Sequence, residues 1–210
     1  MSVRHALLAL IESGPFTGYD LTQKFAHSIE YVWRAGHTQI YPELRKLEEA
    51  GLISAEVLQR SKNSRSTKIA YHLTDKGRIE LNRWVEEIGP QPPLREPQYL
   101  KALYLEFSTP LNAQRQFEAH ADHYRQLRDG YVVHVEDIEN ARTDLMRRRL
   151  ARSPESEHAA ITAFKAHVYR GLIARAEGEI KWAESGIELL QDLAANSSDP
   201  NYWTTPIHPD

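Results

Sequence analysis

The sequence predicts a mainly α-helical protein in two parts: a compact N-terminal unit carrying a small β-hairpin, and a C-terminal half of long helices. Three observations predict it. Apolar residues recur three and four apart in separate runs up to residue 50. Two short strand-like stretches between residues 52 and 73 flank a polar, basic segment. Beyond a proline-rich stretch at 89–97, apolar residues repeat every seven positions along two long segments.

The chain has 210 residues, enough for one or two domains with a real core. Hydrophobic residues make up 41% and charged residues 26%, the balance of a water-soluble globular protein. The net charge of −3 argues against indiscriminate nucleic-acid binding, so any such role must rest on local charge. With no cysteine there are no disulfides or thiolate metal sites, which fits a reducing compartment. The apolar run near the N-terminus is broken by Glu12, lacks a cleavage pattern and is too short to span a bilayer. A cytoplasmic location and no membrane partner are expected.

Residues 3–12 place Ala6, Leu7, Leu10 and Ile11 at helical spacing, and Gly14-Pro15 ends that helix. Thr17 can cap a second helix from Gly18 to Ile29, with Tyr19 or Leu21, Phe25 and Ile29 inward. The aromatic segment Glu30–Gly36, with Tyr31, Val32 and Trp33, is expected to be partly buried.

A third helix follows. Ile40, Leu44 and Leu47 form one narrow face, and Thr38, Pro42, Arg45 and Lys46 lie opposite, with Gln39 and Tyr41 on the shoulders. Thr38 is the expected N-cap, next to His37, and Gly51 the expected C-terminal stop. Taken alone this is equally an ordinary surface helix, and its flanks decide the matter. Leu52–Leu58 and Lys68–Leu73 read as hairpin strands. The tip between them carries Arg60, Lys62, Asn63, Ser64, Arg65 and Lys68, with no acid. Thr74-Asp75-Lys76-Gly77 opens a fourth helix containing Ile79, Leu81, Trp84, Val85 and Ile88.

Three helices followed by a hairpin and a further helix make a winged helix-turn-helix. Its third helix offers donors and cations to the major groove, where base edges are distinguishable. Its wing offers cations to phosphates. The fold class expected is therefore mainly α: a winged helix-turn-helix DNA-binding domain plus a C-terminal long-helix dimerisation domain. The DNA-contacting residues expected are His37, Thr38, Gln39, Tyr41, Pro42, Arg45, Lys46, Arg60, Lys62, Asn63, Ser64, Arg65 and Lys68. A winged-helix scaffold that binds another protein, and not DNA, is the competing reading.

Residues 1–88 resemble the PadR family of transcriptional regulators. The resemblance is carried by A-L-L-A-L-I at Ala6–Ile11, G-Y-D-L at Gly18–Leu21, Trp33, I-Y-P-E-L-R-K-L-E-E-A-G-L-I at Ile40–Ile53, and Y-H-L-T-D-K-G-R at Tyr71–Arg78. The Ile-Tyr-Pro run is its most specific part. Beyond residue 88 only the layout is similar. The resemblance implies a dimeric repressor, less often an activator, of inverted-repeat operators in double-stranded DNA. It places Tyr41 and Pro42 on the recognition helix, Arg60–Lys68 in the wing, and the homodimer contact in the C-terminal helices. It also implies a small aromatic effector, for which Trp33, Tyr99, Tyr104, Tyr124 and Tyr131 are the aromatic candidates. Each is also a natural core residue.

Prolines stiffen the linker at 89–97. The helical half is expected over 98–195. Residues 90–210 carry about four more acids than bases, while residues 1–89 are near neutral. Leu100, Leu103, Tyr104 and Phe107 suggest a short amphipathic helix. From Thr109-Pro110 a long helix repeats Phe117, Tyr124, Tyr131, Ile138 and Leu145. Ser153-Pro154 starts another, with a seam of Tyr169, Ile173, Ala176, Ile180, Ala183, Ile187 and Leu190, the expected dimer interface. A second strip holds Ile161, Phe164, Val168, Leu172, Trp182, Leu189 and Leu193. Apolar character on two sides demands two covers: one the neighbouring helix, the other a second subunit. The tail, 196–210, reads as extended or disordered.

No cofactor, metal or catalytic machinery is expected. His120, His123 and His134 share a helix, but no cysteine or well-spaced acid joins them. There is no phosphate-cradling glycine loop, nucleophile elbow or H-E-x-x-H.

Overall fold

The computed structural model describes residues 3–27, 37–58, 68–90 and 95–197. Trp33, the wing-tip residues Arg60, Lys62, Asn63, Ser64 and Arg65, and residues 198–210 of the tail lie outside the described residues, while Asn196, expected in the tail, ends a helix. The chain divides into two compact units. The first contains residues 1–90 and 143–158, the second 91–142 and 159–210.

In the first unit, α1 (Val3–Glu12), β1 (Phe16–Thr17), α2 (Gly18–His27), α3 (His37–Glu49), β2 (Ile53–Leu58), β3 (Lys68–Leu73) and α4 (Asp75–Glu86) follow in order. The helical core is what the periodicity requires. Leu7, Leu8, Leu10 and Ile11 of α1, Leu21 and Phe25 of α2, and Ile40, Leu44 and Leu47 of α3 form one buried cluster. Each such side chain contributes roughly 1.5–3 kcal/mol of transfer free energy, so the cluster dominates the stability of this unit. The sheet is antiparallel in the order β1-β3-β2, with Ile53 opposite Leu73 and Leu58 opposite Lys68. β1, only two residues long, pairs Phe16 with Tyr71 and was not evident in the sequence. On α4, Ile79 and Val85 face outward, as does Ile88 beyond its end, while Trp84 stacks on His5 with ring centroids 4.9 Å apart.

Helix ends are set locally. Thr17 and Asp20 bond reciprocally at the start of α2: Thr17 N donates to Asp20 Oδ2 (3.0 Å) and Asp20 N donates to Thr17 Oγ1 (3.2 Å). α3 begins at His37, two residues earlier than a Thr38 cap implies, so Thr38 sits inside the first turn instead of capping it. At its C-terminus Leu52 N donates to Leu47 O and Gly51 N to Glu48 O, with Gly51 at φ +69°. That geometry favours glycine and satisfies two carbonyls the helix leaves open. Lys76 Nζ and Thr74 Oγ1 reach back to Ala50 O and Gly51 O, each at 2.8 Å.

The first unit also holds α7 (Asp144–Ala151), which the linear division placed in the helical half. The seven-residue repeat expected to run through Leu145 is broken. α6 (Pro110–Glu139) stops, Ala141 takes φ +49°, and Thr143 Oγ1 accepts from Met146 N to start α7. Leu145 packs against the winged core and Met146 is buried.

In the second unit the expected amphipathic helix is split into α5 (Pro97–Ala102) and a 3-10 turn at Leu105–Phe107. Leu105 points inward, and Leu100, Leu103, Tyr104 and Phe107 point out. α6 packs along α8 (Glu155–Asn196) through Ala113, Phe117 and Ala121 against Ala183 and Leu190, with Trp182 and Ile187 alongside. The small residues permit this close approach, and Phe117 lies directly over Gly186.

Candidate nucleic-acid interface

The three buried residues of α3 fix which way its other faces point. Thr38, Gln39, Tyr41, Pro42, Arg45 and Lys46 are all exposed. His37 is the first residue of the helix. Lys46 has a loose pairing with Glu43 at 3.8 Å, too long and too exposed to hold the cation in place. Tyr41 is 42% exposed and its ring lies on Gly18 at the start of α2. Lys68, the first residue of β3, is exposed and is the one expected wing cation within the described residues.

An open groove of about 450 Å³ runs between Thr17 and Tyr19 of the α2 entry, Tyr41 of α3, and Lys68 and Tyr71 of β3. Tyr19 is 63% exposed. Burial, reinforced by Glu48 and Tyr41, raises the Tyr71 phenol above its ordinary value, so it stays a neutral hydrogen-bonding group. The sequence reading missed Thr17 and Tyr19. Their only signal was their position, immediately before and within a helix start, and β1 is what turns that start toward β3. The groove joins the Lys68 ammonium, the Asp20 carboxylate and the hydroxyls of Thr17, Tyr19, Tyr41 and Tyr71. Such a surface suits hydrogen bonding to a polar ligand, with Lys68 as its cation.

The aromatic candidates of the second unit part company. Tyr99 donates to Glu179 Oε2 (3.1 Å) and stacks on Trp182 (4.3 Å), and burial together with that bond pushes its phenol up to about 12. Tyr124 lies against His120 (4.7 Å), and Tyr131 faces Tyr169 (6.4 Å). Tyr104 instead lines an open, mainly apolar groove of about 490 Å³ with Leu100, Lys101 and Phe107.

His120 is paired with Glu179 at 3.0 Å. Among the described residues no three histidines or acids gather where a metal ion would be held. No helix among them is long and apolar enough to cross a membrane.

The seam expected between subunits is covered by the chain itself. Tyr169, Ala176, Ile180, Ala183 and Leu190 are buried and Ile173 and Ile187 half-buried. This corrects the expectation: the small residues that allow close approach are used against α6. The exposed residues belong to the second strip, with Phe164 at 75%, Leu189 at 56%, Val168 at 48% and Leu193 at 42%.

Comparison with known proteins bears on the winged unit first. The model of the transcriptional regulator PadR-like family matches residues 7–83. The negative transcriptional regulator PadR of Bacillus subtilis is 33% identical over 102 residues, 49% of this chain and only 55% of that protein. A probable transcriptional regulator of Mycobacterium tuberculosis, Rv1176c, is 30% identical over 194 residues, 91% of this chain and 99% of its own length. Two solved structures of Bacillus subtilis PadR are also similar. One, in complex with operator DNA, has a TM-score of 0.64 at 24% identity; the other, in complex with p-coumaric acid, 0.60 at 27%. Each match covers 90% of this chain and 98% of the other. The chain belongs to the transcriptional regulator PadR-like family.

Proposed function

We propose that this protein is a cytoplasmic, homodimeric repressor that binds inverted-repeat operators and is relieved by a small aromatic effector. It acts by binding, with no catalytic step. The observation that carries this reading is the α3 surface: five exposed polar, aromatic or basic residues, with Pro42 among them, held on three fully buried leucine and isoleucine side chains. A rigid helix with that face fits the major groove, and Lys68 with the rest of the wing fits the adjoining phosphates. Tyr19 and the groove beside Tyr41 extend this face along the strand. Support also comes from a relative named as a negative regulator and from its complex with operator DNA.

The homodimer reading now rests on the second strip of α8. Phe164, Val168, Leu189 and Leu193 are large, apolar and exposed on one helix, an arrangement that favours self-association about a two-fold axis. For the effector, the p-coumaric acid complex of the relative supplies the chemical class. Tyr104 is the candidate that borders open space, with the Lys101 ammonium beside it for a carboxylate.

Selection of bound duplexes from a random pool tests the reading. A palindromic consensus is expected. Enrichment no better than for a control protein would overturn it.

A further inference from the structure

α5 cannot hold itself in place. It has six residues, too few to be stable alone, and Glu96 before it makes no side-chain capping bond. None of its residues is buried and only Ala102 is half-buried, so packing does not fix it. Yet α5 and the turn after it supply Leu100, Lys101, Tyr104 and Phe107 to the groove of about 490 Å³.

One turn of α8 supplies the missing grip. The Tyr99 hydroxyl donates to Glu179 Oε2 at 3.1 Å, and the Tyr99 ring stacks on Trp182 at 4.3 Å. Arg175, one turn earlier on α8, pairs with Glu96. Its Nε also lies 3.9 Å from Glu179 Oε1. Glu179 is only 8% exposed, and its Oε2 meets His120 Nε2 of α6 at 3.0 Å as well. A carboxylate so far out of water must keep its hydrogen-bond partners, so Tyr99 is held where Glu179 needs it. All these residues and the groove belong to the second unit.

We propose that Arg175 and Glu179 are positioning residues for effector binding: by gripping Glu96 and Tyr99 they keep α5 where Lys101 and Tyr104 can engage one ligand, an aromatic monocarboxylate. The proposal deepens the effector reading above and rests on it. Leu100, Tyr104 and Phe107 give the ring an apolar wall, and the Lys101 ammonium pairs with the carboxylate. Neither Arg175 nor Glu179 lines the groove, so neither needs to touch the ligand.

The test is calorimetric titration of the full chain with p-coumarate and with its methyl ester. The wild type should bind the acid about tenfold more tightly than the ester, which offers Lys101 no charge. Tyr99→Phe and Glu179→Gln should each weaken both ligands by about tenfold and leave the acid-to-ester ratio unchanged. A helix that spends less time in its binding position lowers every affinity by the same fraction. Lys101→Met should do the opposite, abolishing the ratio and sparing the ester. Arg175→Gln should act like Glu179→Gln, and Arg175→Lys, which keeps a cation beside Glu96, should recover most of the loss. Without ligand, the Leu100 and Leu103 amides, bonded to Glu96 O and Tyr99 O at 3.2 Å, should exchange hydrogen faster in Tyr99→Phe and Glu179→Gln, while α6 keeps its wild-type rates. Unchanged affinities in both variants overturn the proposal. So does a loss of protection along α6 as large as along α5, because Glu179 would then serve only the fold. A wild type that binds neither ligand overturns the effector reading itself, and the proposal falls with it.

Discussion

Tyr41 of α3 rests on Gly18: a methyl carried there would stand 2.7 Å from Tyr41 Cε1. Gly18→Ala should therefore separate two properties. Alanine is the better residue inside a helix by roughly 0.5–1 kcal/mol, and Tyr41 is exposed enough to swing away, so the melting temperature should change little. The displaced ring should nevertheless lower operator affinity by about tenfold, or ~1.4 kcal/mol. Thermal melting and titration with the selected operator check the split.

The two kinds of DNA contact should respond differently to mutation. Lys68→Gln should weaken binding to all duplexes alike and make the dependence of log K on log salt shallower by about 0.9. Gln39→Ala should leave that slope unchanged and relax selectivity at one base pair, at a cost of about 1–3 kcal/mol for the preferred base. Salt titrations on the operator and on single-base variants report both.

Acid stability should depend on Glu80. Its carboxyl is held down to about 2 by hydrogen bonds from Arg83 and from His5. Unfolded, it titrates near its ordinary value of 4.5. The folded state thus binds fewer protons across that interval. The stabilisation is present in full above about 4.5 and is lost as pH falls toward 2. Glu80→Gln should be less stable than wild type at neutral pH, and the difference should shrink below pH 4, as read by urea unfolding at each pH.

Two aspartate substitutions on α8 distinguish the two apolar strips. Phe164→Asp, on the exposed strip, should leave helix content intact and shift sedimentation toward the monomer. Ile180→Asp, on the buried seam, should cost about 3–5 kcal/mol because it strands a carboxylate between α6 and α8. A dimer unaffected by Phe164→Asp would count against the exposed strip as the subunit contact.

The winged unit was largely legible because its signals are local. Ile40, Leu44 and Leu47 fix the inward face of α3, Gly51 its end and Thr74 the start of α4. The two-residue β1 was not legible, because it is defined only by its pairing with Tyr71 and Ala70. The repeat through Tyr131, Ile138 and Leu145 runs straight across the break at residues 140–143, so periodicity hid α7. Thr143-Asp144 was the available sign, a helix cap inside an apparently continuous helix. The seam of α8 was correctly seen as apolar and assigned to the wrong neighbour. Spacing shows that a face must be covered and says nothing of whether the cover is the same chain or another. The exposure of the polar side of α3 was readable from the spacing of Ile40, Leu44 and Leu47, whereas the groove that Thr17 and Tyr19 line required the turn that β1 imposes.

Hydroxyl-radical footprinting on the selected operator tests the central claim most directly. The account predicts two protected patches related by a two-fold axis and centred about one helical turn, roughly 34 Å, apart. Uniform cleavage along both strands, or a single patch with no mirrored counterpart, would contradict it.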